Sequence, residues 1–395
     1  MPGAGAGRTP LASRYEEAVS ILRSNPELAA GVAVALVVLL FVLWAAIRRL
    51  RRTKGETFLG VLRKTDDEVA ALMHPNPDPD AMACALAVKE LAAAVDTEVQ
   101  MCYPGEIRHQ ENRAFQTVLN LDFERIERAA ELAGDPVVLV DHNTPRGFPG
   151  ADELEPRAVV DHHPGNGTGS KFTDLRTDNG SCASIFAGYF EEMGWEPTEP
   201  AEADQIEAEA KALSPTVATG LLYGIQSDTK NLTKGCSPEE FEAAGYLYRG
   251  IEEDRLDRIA NPEVDAEVLD VKARAIDARD VRNAFAVSDV GQVSNVDAIP
   301  QAADELLLLE GVTAVVLVGE NDGTLHLSGR SRDDRVHMGK ALRSAVDIVP
   351  MADAGGHARM GGGQVSVSHL RGLASNGLSR DDFHDRLFEA MNGEV

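Results

Sequence analysis

From about residue 56 onward, short continuous apolar runs alternate with longer segments in which apolar residues return every three or four positions. PVVLV (136–140) ends in Asp141, and AVV (158–160) ends in Asp161, His162 and His163. Helical spacing marks 81–95, 181–194, 214–225 and 237–250. Uniformly apolar strands separated by helices predict a parallel α/β sheet buried on both faces. Ligands of such sheets collect beyond the carboxyl ends of the strands, which is where Asp141 and Asp161 fall. Residues 251–280 are densely charged with a helical pattern and read as a connector. A second, smaller α/β unit follows over 281–392, with strand patterns at 283–291, 312–322 and 324–332. A Gly-rich loop is expected at 355–363 and a last helix at 379–392.

A different pattern stands at the front. Residues 28–47, LAAGVAVALVVLLFVLWAAI, form an uncharged run of 20 residues. At 1.5 Å per residue this spans about 30 Å, the hydrocarbon thickness of a bilayer. Glu16, Glu17 and Glu27 precede it and RRLRR follows it, so it does not read as a cleaved leader. The expectation is one transmembrane helix. The cluster Arg48, Arg49, Arg51, Arg52 and Lys54 places residues 1–27 outside and the rest in the cytoplasm, through a basic linker over 48–64.

Charge changes the picture next. Sixty-four acids oppose 38 bases for a net charge of -26, and only nine of the bases are lysine. Such a carboxylate-dense surface stays hydrated but repels itself until salt screens it, the balance expected of a protein from a high-salt cytoplasm. It also excludes a general nucleic-acid coat, which needs a basic stripe. A polyanionic substrate must be held locally, by metal ions and a few arginines, and short substrates suit this better than long ones. Cys84, Cys102, Cys182 and Cys236 form no C-x-x-C pair and read as inert thiols of a reducing compartment.

The candidate chemistry lies in four segments. MHPNPDPDAM places His74, Asp78 and Asp80 within seven residues, on a loop stiffened by Pro75, Pro77 and Pro79 just before a helix. VLVDHN, VVDHH and GIQSDT add Asp141, the Asp161–His163 triplet and Asp228. Adjacent Asp161, His162 and His163 converge only where a strand stops, and Pro164-Gly165 marks that stop. Mixed nitrogen and oxygen donors without thiolate favour manganese, magnesium or cobalt over structural zinc. His142, His326, His337 and His384 have no motif behind them and read as surface or loop residues.

HPNPDPD, VDHN, VDHH and SDT, in this order, resemble the four motifs of the DHH phosphoesterase superfamily, over roughly residues 65–392. The resemblance implies a Rossmann-like catalytic domain over 65–250 and a smaller substrate-binding domain over 281–392. It implies one metal held by His74, Asp78 and Asp141, and another by Asp80, Asp141, His162 and Asp228. Asp141 would bridge the pair, Asp161 would steady the His162 ring, and His163 would face the scissile phosphate. Two cations about 3.5–4 Å apart would make hydroxide available at neutral pH and neutralise phosphoryl oxygens. In the second domain SGRS (328–331) supplies Arg330 and Ser331. GGHARMGGG supplies Gly355, Gly356, His357 and Gly362, with Met360 and Gly361 where the family ending has two alanines.

The function expected from this resemblance is hydrolysis of small nucleotides, namely short oligonucleotides, 3'-phosphoadenosine 5'-phosphate (pAp), or linear and cyclic dinucleotides. Long nucleic acid is not expected as a partner, and the resemblance leaves room for a homodimer. A RecJ-type single-strand exonuclease would need further domains and a basic channel. A non-catalytic nucleotide-sensing membrane module would have shed a ligand, whereas all six are present. Membrane-tethered relatives cleaving cyclic di-AMP carry sensor domains between anchor and catalytic unit, and only about ten residues separate Lys54 from the expected start of the catalytic domain.

Overall fold

The computed structural model describes residues 52–63, 68–107, 109–132, 136–205, 211–370 and 378–395, with scattered positions between 24 and 39. Most of the apolar run 28–47 lies outside the described residues. Among its described members, Val34, Val37, Val38 and Leu39 are helical and exposed. No helix among the described residues is long and apolar enough to cross a membrane. The chain divides into two compact units at Pro262/Glu263.

The first unit runs α1 (Lys54–Leu62), β1 (Val69–Leu72), α2 (Pro79–Ala93), β2 (Val99–Pro104), α3 (Gln110–Val118), β3 (Glu124–Ile126), β4 (Val137–Val140), β5 (Ala158–Asp161), β6 (Phe172–Leu175), α4 (Cys182–Glu192), the short pair β7 (Glu196–Pro197) and β8 (Ala212–Leu213), then α5 (Pro215–Asp228), α6 (Pro238–Leu247) and α7 (Glu253–Ala260). Its six-stranded sheet has the order β3-β2-β1-β4-β5-β6, and every pair in it is parallel. The central strands β1, β4 and β5 are buried end to end, as uniformly apolar runs require, and β2, β3 and β6 are only partly so. Side chains alternate between faces. Val69, Ala71, Val138, Val140 and Val160 enter the core shared with α2, α4 and α5. Ala70, Leu72, Leu139 and Val159 enter a thinner layer packed by Phe148 and Leu154. After β1 the chain therefore leaves to one face, through α2, and after β4 to the other. The carboxyl ends of β1 and β4 face a crevice at this switch in direction, the position where open parallel sheets take ligands.

The second unit comprises α8 (Ala266–Asp277), β9 (Asp280–Arg282), β10 (Phe285–Gln292), α9 (Ala298–Leu306), β11 (Ala314–Asn321), β12 (Thr324–Ser331), α10 (Met338–Val346), β13 (Asp353–Gly356), β14 (Met360–Ser366), α11 (Val367–Leu370) and α12 (Arg380–Asn392). Its sheet is mixed, in the order β13-β14-β12-β11-β10-β9, with β10 and β11 parallel and the other pairs antiparallel.

Two expectations are corrected. The connector 251–280 is shared between the units: Ile259 of α7 packs into the first core, and Val268, Val271 and Ala275 of α8 into a core of the second. The Gly-rich segment 355–363 is a β-hairpin, Gly355 opposite Gly362 and Gly356 opposite Gly361, and only His357, Ala358 and Arg359 form its turn. SGRS lies inside β12, with Arg330 opposite Val315.

Candidate metal centre

The loop after β1 is built by its prolines and carboxylates. Asn76 turns the chain in the left-handed region at φ 56°, which Asn tolerates. Asp78 caps α2, its Oδ1 accepting from the Ala81 N–H at 3.1 Å, and Pro79 takes the first helical position, where no N–H is needed. Asp80 is fully buried in the first turn of α2. Its two oxygens accept from the first N–H groups of α4, Cys182 at 2.7 Å and Ala183 at 2.7 Å, so a helix start fixes the carboxylate. Asp141, directly after β4, also sits in the left-handed region at φ 59°. Asp228 comes from the last turn of α5, whose helix continues three residues beyond the expected 214–225.

These segments bring all six candidate ligands together. His74 Nε2 lies 3.4 Å from Asp141 Oδ2 and 3.5 Å from Asp78 Oδ2. His162 Nε2 lies 3.3 Å from Asp141 Oδ1, 3.5 Å from Asp228 Oδ2 and 3.8 Å from Asp80 Oδ2. Asp141 thus gives one oxygen to each group. Donor atoms of His74, Asp78 and Asp141 lie within 4.8 Å of one another, as do those of Asp80, His162 and Asp228. Both rings are oriented by backbone carbonyls: His74 Nδ1–H donates to Pro75 O at 3.0 Å and His162 Nδ1–H to Asn179 O at 3.2 Å. That tautomer leaves each Nε2 lone pair for a cation.

Whether a metal pair fits is answered by atoms that lack partners. Asp141 Oδ1 and Oδ2 and His162 Nε2 are buried without a hydrogen-bond partner, a costly arrangement unless a cation satisfies them. Burial works against a charged ring at His74 and His162, yet the carboxylates of Asp141, Asp78 and Asp228 standing 3.3–3.5 Å from their Nε2 atoms outweigh it and push their pKa values up to about 11 and about 12. Burial, with the charges of Asp141 and Asp228 beside it, pushes Asp80 well up. The cluster demands positive charge, and two divalent ions meet that demand with this donor set.

His163 stands at the rim, half exposed, with Nδ1 2.9 Å from Asp161 Oδ1. The Asp161 hydrogen bond holds its pKa above the ordinary value. Asp161 therefore braces His163, not His162 as expected, because side chains alternate along the strand and Asp161 leaves β5 on the side opposite His162. The brace of His162 is the Asn179 carbonyl. Asn143 completes the turn, donating from Nδ2 to Asp161 Oδ2 at 2.7 Å and to the His163 carbonyl at 3.3 Å. The Pro164–Gly167 turn lies against it so closely that a Cβ on Gly167 would fall 1.5 Å from Asn143 O.

Asn143, Asn179 and the α4 start are the parts that sequence reasoning missed. The last was legible as Ser181, a helix cap whose Oγ accepts from the Ser184 N–H. His142 is another correction. It is buried, its Nδ1 lies 2.9 Å from Val140 O, and burial pulls its pKa down to about 4, so the ring is neutral. His326 is partly buried on β12, the His337 side chain caps α10, and His384 lies 3.3 Å from Asp280. Cys84, Cys102 and Cys182 are buried, and Cys236 is partly so.

The second unit carries a cavity of about 570 Å³. Arg330, Gly355 and Gly362 line it, with Ser328 and His326. Arg330 is held there by Asp304, Nε to Oδ1 at 2.6 Å. Ser331 is buried with its Oγ bonded to the Asp333 backbone, and neither it, Gly356 nor exposed His357 lines the cavity.

Residues 68–225 match the DHH family, N-terminal domain, and residues 282–375 match the DHHA1 domain. An uncharacterised protein of Methanocaldococcus jannaschii is 34% identical over 289 residues, 72% of this chain and 57% of its own length. A cyclic-di-AMP phosphodiesterase of Geobacillus thermodenitrificans is 29% identical over 285 residues, 68% of this chain and 41% of its own. The chain thus spans about half the length of these two relatives. The crystal structure of an exopolyphosphatase-related protein from Bacteroides fragilis shares the fold, at TM-score 0.60 and 14% identity over 86% of this chain and 96% of its own.

Proposed function

Because the chain carries both domains and so belongs to the DHH phosphoesterase superfamily, we propose that it is a two-metal phosphoesterase that hydrolyses small nucleotides. The observation that carries this reading is Asp141, a buried carboxylate whose two oxygens face two separate imidazole-carboxylate groups and accept no hydrogen bond. His74, Asp78 and Asp141 would hold one divalent ion, and Asp80, Asp141, His162 and Asp228 the other, manganese being the first ion to test. Such ions supply positive charge to phosphoryl oxygens and lower the pKa of water. His163, half exposed and with its pKa held above the ordinary value by its Asp161 brace, would face a phosphoryl or leaving-group oxygen at the rim. Asn143 keeps that ring aimed by holding both Asp161 and the His163 carbonyl.

Substrate size follows from charge and from the second unit. Arg330 and the glycine backbone of the β13–β14 hairpin line a cavity suited to one anionic nucleotide moiety. The net charge of -26 disfavours long polyanions. The likeness to a cyclic-di-AMP phosphodiesterase supports dinucleotides within the class. The apolar run 28–47 tethers the enzyme to a membrane with its catalytic unit in the cytoplasm, so the full chain should sediment with membranes and a chain lacking 1–51 should not.

The deciding assay uses the full chain in detergent with manganese and molar KCl, offered pAp, pApA, cyclic di-AMP and a short RNA. Hydrolysis of at least one of these, lost in Asp141→Ala, is expected. Turnover of long single strands alone would replace this reading with an exonuclease, and inactivity on every substrate would replace it with a nucleotide sensor.

A further inference from the structure

Glu240 is fully buried and holds four hydrogen bonds, none with a candidate metal ligand. Its Oε2 accepts from the N–H and the Oγ–H of Ser237, both at 2.6 Å, which closes the N-terminal cap of α6. Its Oε1 reaches away from that helix, accepting from the Gly180 N–H at 2.9 Å and the Ser184 hydroxyl at 2.7 Å. Capping needs only the first pair. The second pair grips residues 179–184, and this segment meets the metal centre twice. Asn179 O accepts from His162 Nδ1, and the Cys182 and Ala183 N–H groups hold both oxygens of Asp80. Asn179 is tied in turn to the same hydroxyl, Nδ2 to Ser184 Oγ at 2.9 Å. On the far side the segment has no slack, since a Cβ on Gly180 would fall 2.3 Å from Gly235 O.

Resting on the two-metal reading above, we propose that Glu240 is the positioning residue of one metal position alone, that of Asp80, His162 and Asp228. It acts through the 179–184 segment, and the His74–Asp78 position is independent of it. A buried carboxylate and its donors stand or fall together, because a donor stripped of its acceptor in a dry interior moves to find another. Loss of Glu240 frees the Gly180 N–H and leaves the Ser184 hydroxyl only the Ser181 carbonyl as acceptor. The Asn179 carbonyl and the α4 start then drift, the His162 ring tilts, and Asp80 loses its fixed orientation. His74 takes its bond from Pro75 O, in a different segment, and keeps it.

The test is manganese titration of the full-length protein in detergent, without substrate, so that binding is read apart from turnover. Asp78→Asn and Asp228→Asn assign the two binding steps. Glu240→Ala is expected to weaken the step that Asp228→Asn weakens by about 10- to 100-fold, the usual effect of removing a group that orients a metal ligand, and to leave the other within about twofold. Glu240→Gln keeps the shape and one acceptor, and should shift the same step less. It decides the matter if the alanine variant does not fold. Ser237→Ala removes one of the two cap partners, the hydroxyl, and leaves the Gly180 and Ser184 bonds in place; it should leave both steps within about twofold, whereas an effect carried by the α6 cap would weaken them. Equal weakening of both steps in a folded variant, or no weakening, overturns the proposal. Wild-type protein that takes up fewer than two ions overturns the metal reading itself, and this inference with it.

Discussion

Asp141 concentrates the chemistry of the site in one side chain, and the residue scale is where the sharpest outcomes lie. Asp141→Ala should abolish uptake of both ions and lower turnover by at least about 10³-fold, whereas Asp78→Asn should cost one ion; metal stoichiometry by atomic absorption separates the two. In the metal-free protein His74 and His162 hold their protons at neutral pH, since their pKa values stand near 11 and 12. An incoming cation needs both Nε2 lone pairs. Manganese uptake at pH 7 should therefore release protons, and affinity should rise with pH. Calorimetry in buffers of different ionisation enthalpy counts them, and a count of zero would remove both rings from the ligand set. The six candidate ligands were legible in the sequence because each sits beside a strand end, a proline-stiffened turn or a helix end that local pattern marks. The partner of Asp161 and the burial of His142 were not, because they depend on which face of a strand end each residue takes and on what the chain lays over it.

At the scale of elements, three helices cross beneath Asp80. A Cβ on Gly224 of α5 would meet Ala183 Cβ of α4 at 3.1 Å, and Ala83 Cβ and Asp80 Cα of α2 at 3.2 Å. Gly224→Val should cost about 1–3 kcal/mol through overpacking. It should also weaken the metal step assigned to Asp80, as read by chemical denaturation and by titration on one preparation. Intact stability and affinity would mean that the crossing is looser than these distances require. Strands β4 and β5 and helices α2, α4, α5 and α6 were legible, the strands because buried parallel strands read as uniform apolar runs. The β13–β14 hairpin was not, since strands made of Gly355, Gly356 and Gly361–Gly363 carry no side chains to show a period. The connector was misassigned for a related reason: apolar stripes reveal two helices but not which core each one joins.

For the whole molecule, charge decides behaviour in solution. With 64 acids against 38 bases, self-repulsion is strong at low ionic strength. The melting temperature should climb as KCl is raised from about 0.1 M to about 3 M, most steeply at the low end where the Debye length shrinks from about 10 Å. A flat or falling curve in differential scanning fluorimetry would show that the acids are dispersed enough not to matter.

The routing of the chain around β1 and β4 has a consequence of its own. The strands are neighbours, yet their connections depart to opposite faces, so the hollow that such routing leaves would be set by the backbone and not by the ligands that border it. Stripping those ligands would silence the chemistry without closing the hollow. A lineage that lost its catalysis would inherit a ready receptor, and a deliberately silenced variant of this protein should serve as a trap for its own substrate.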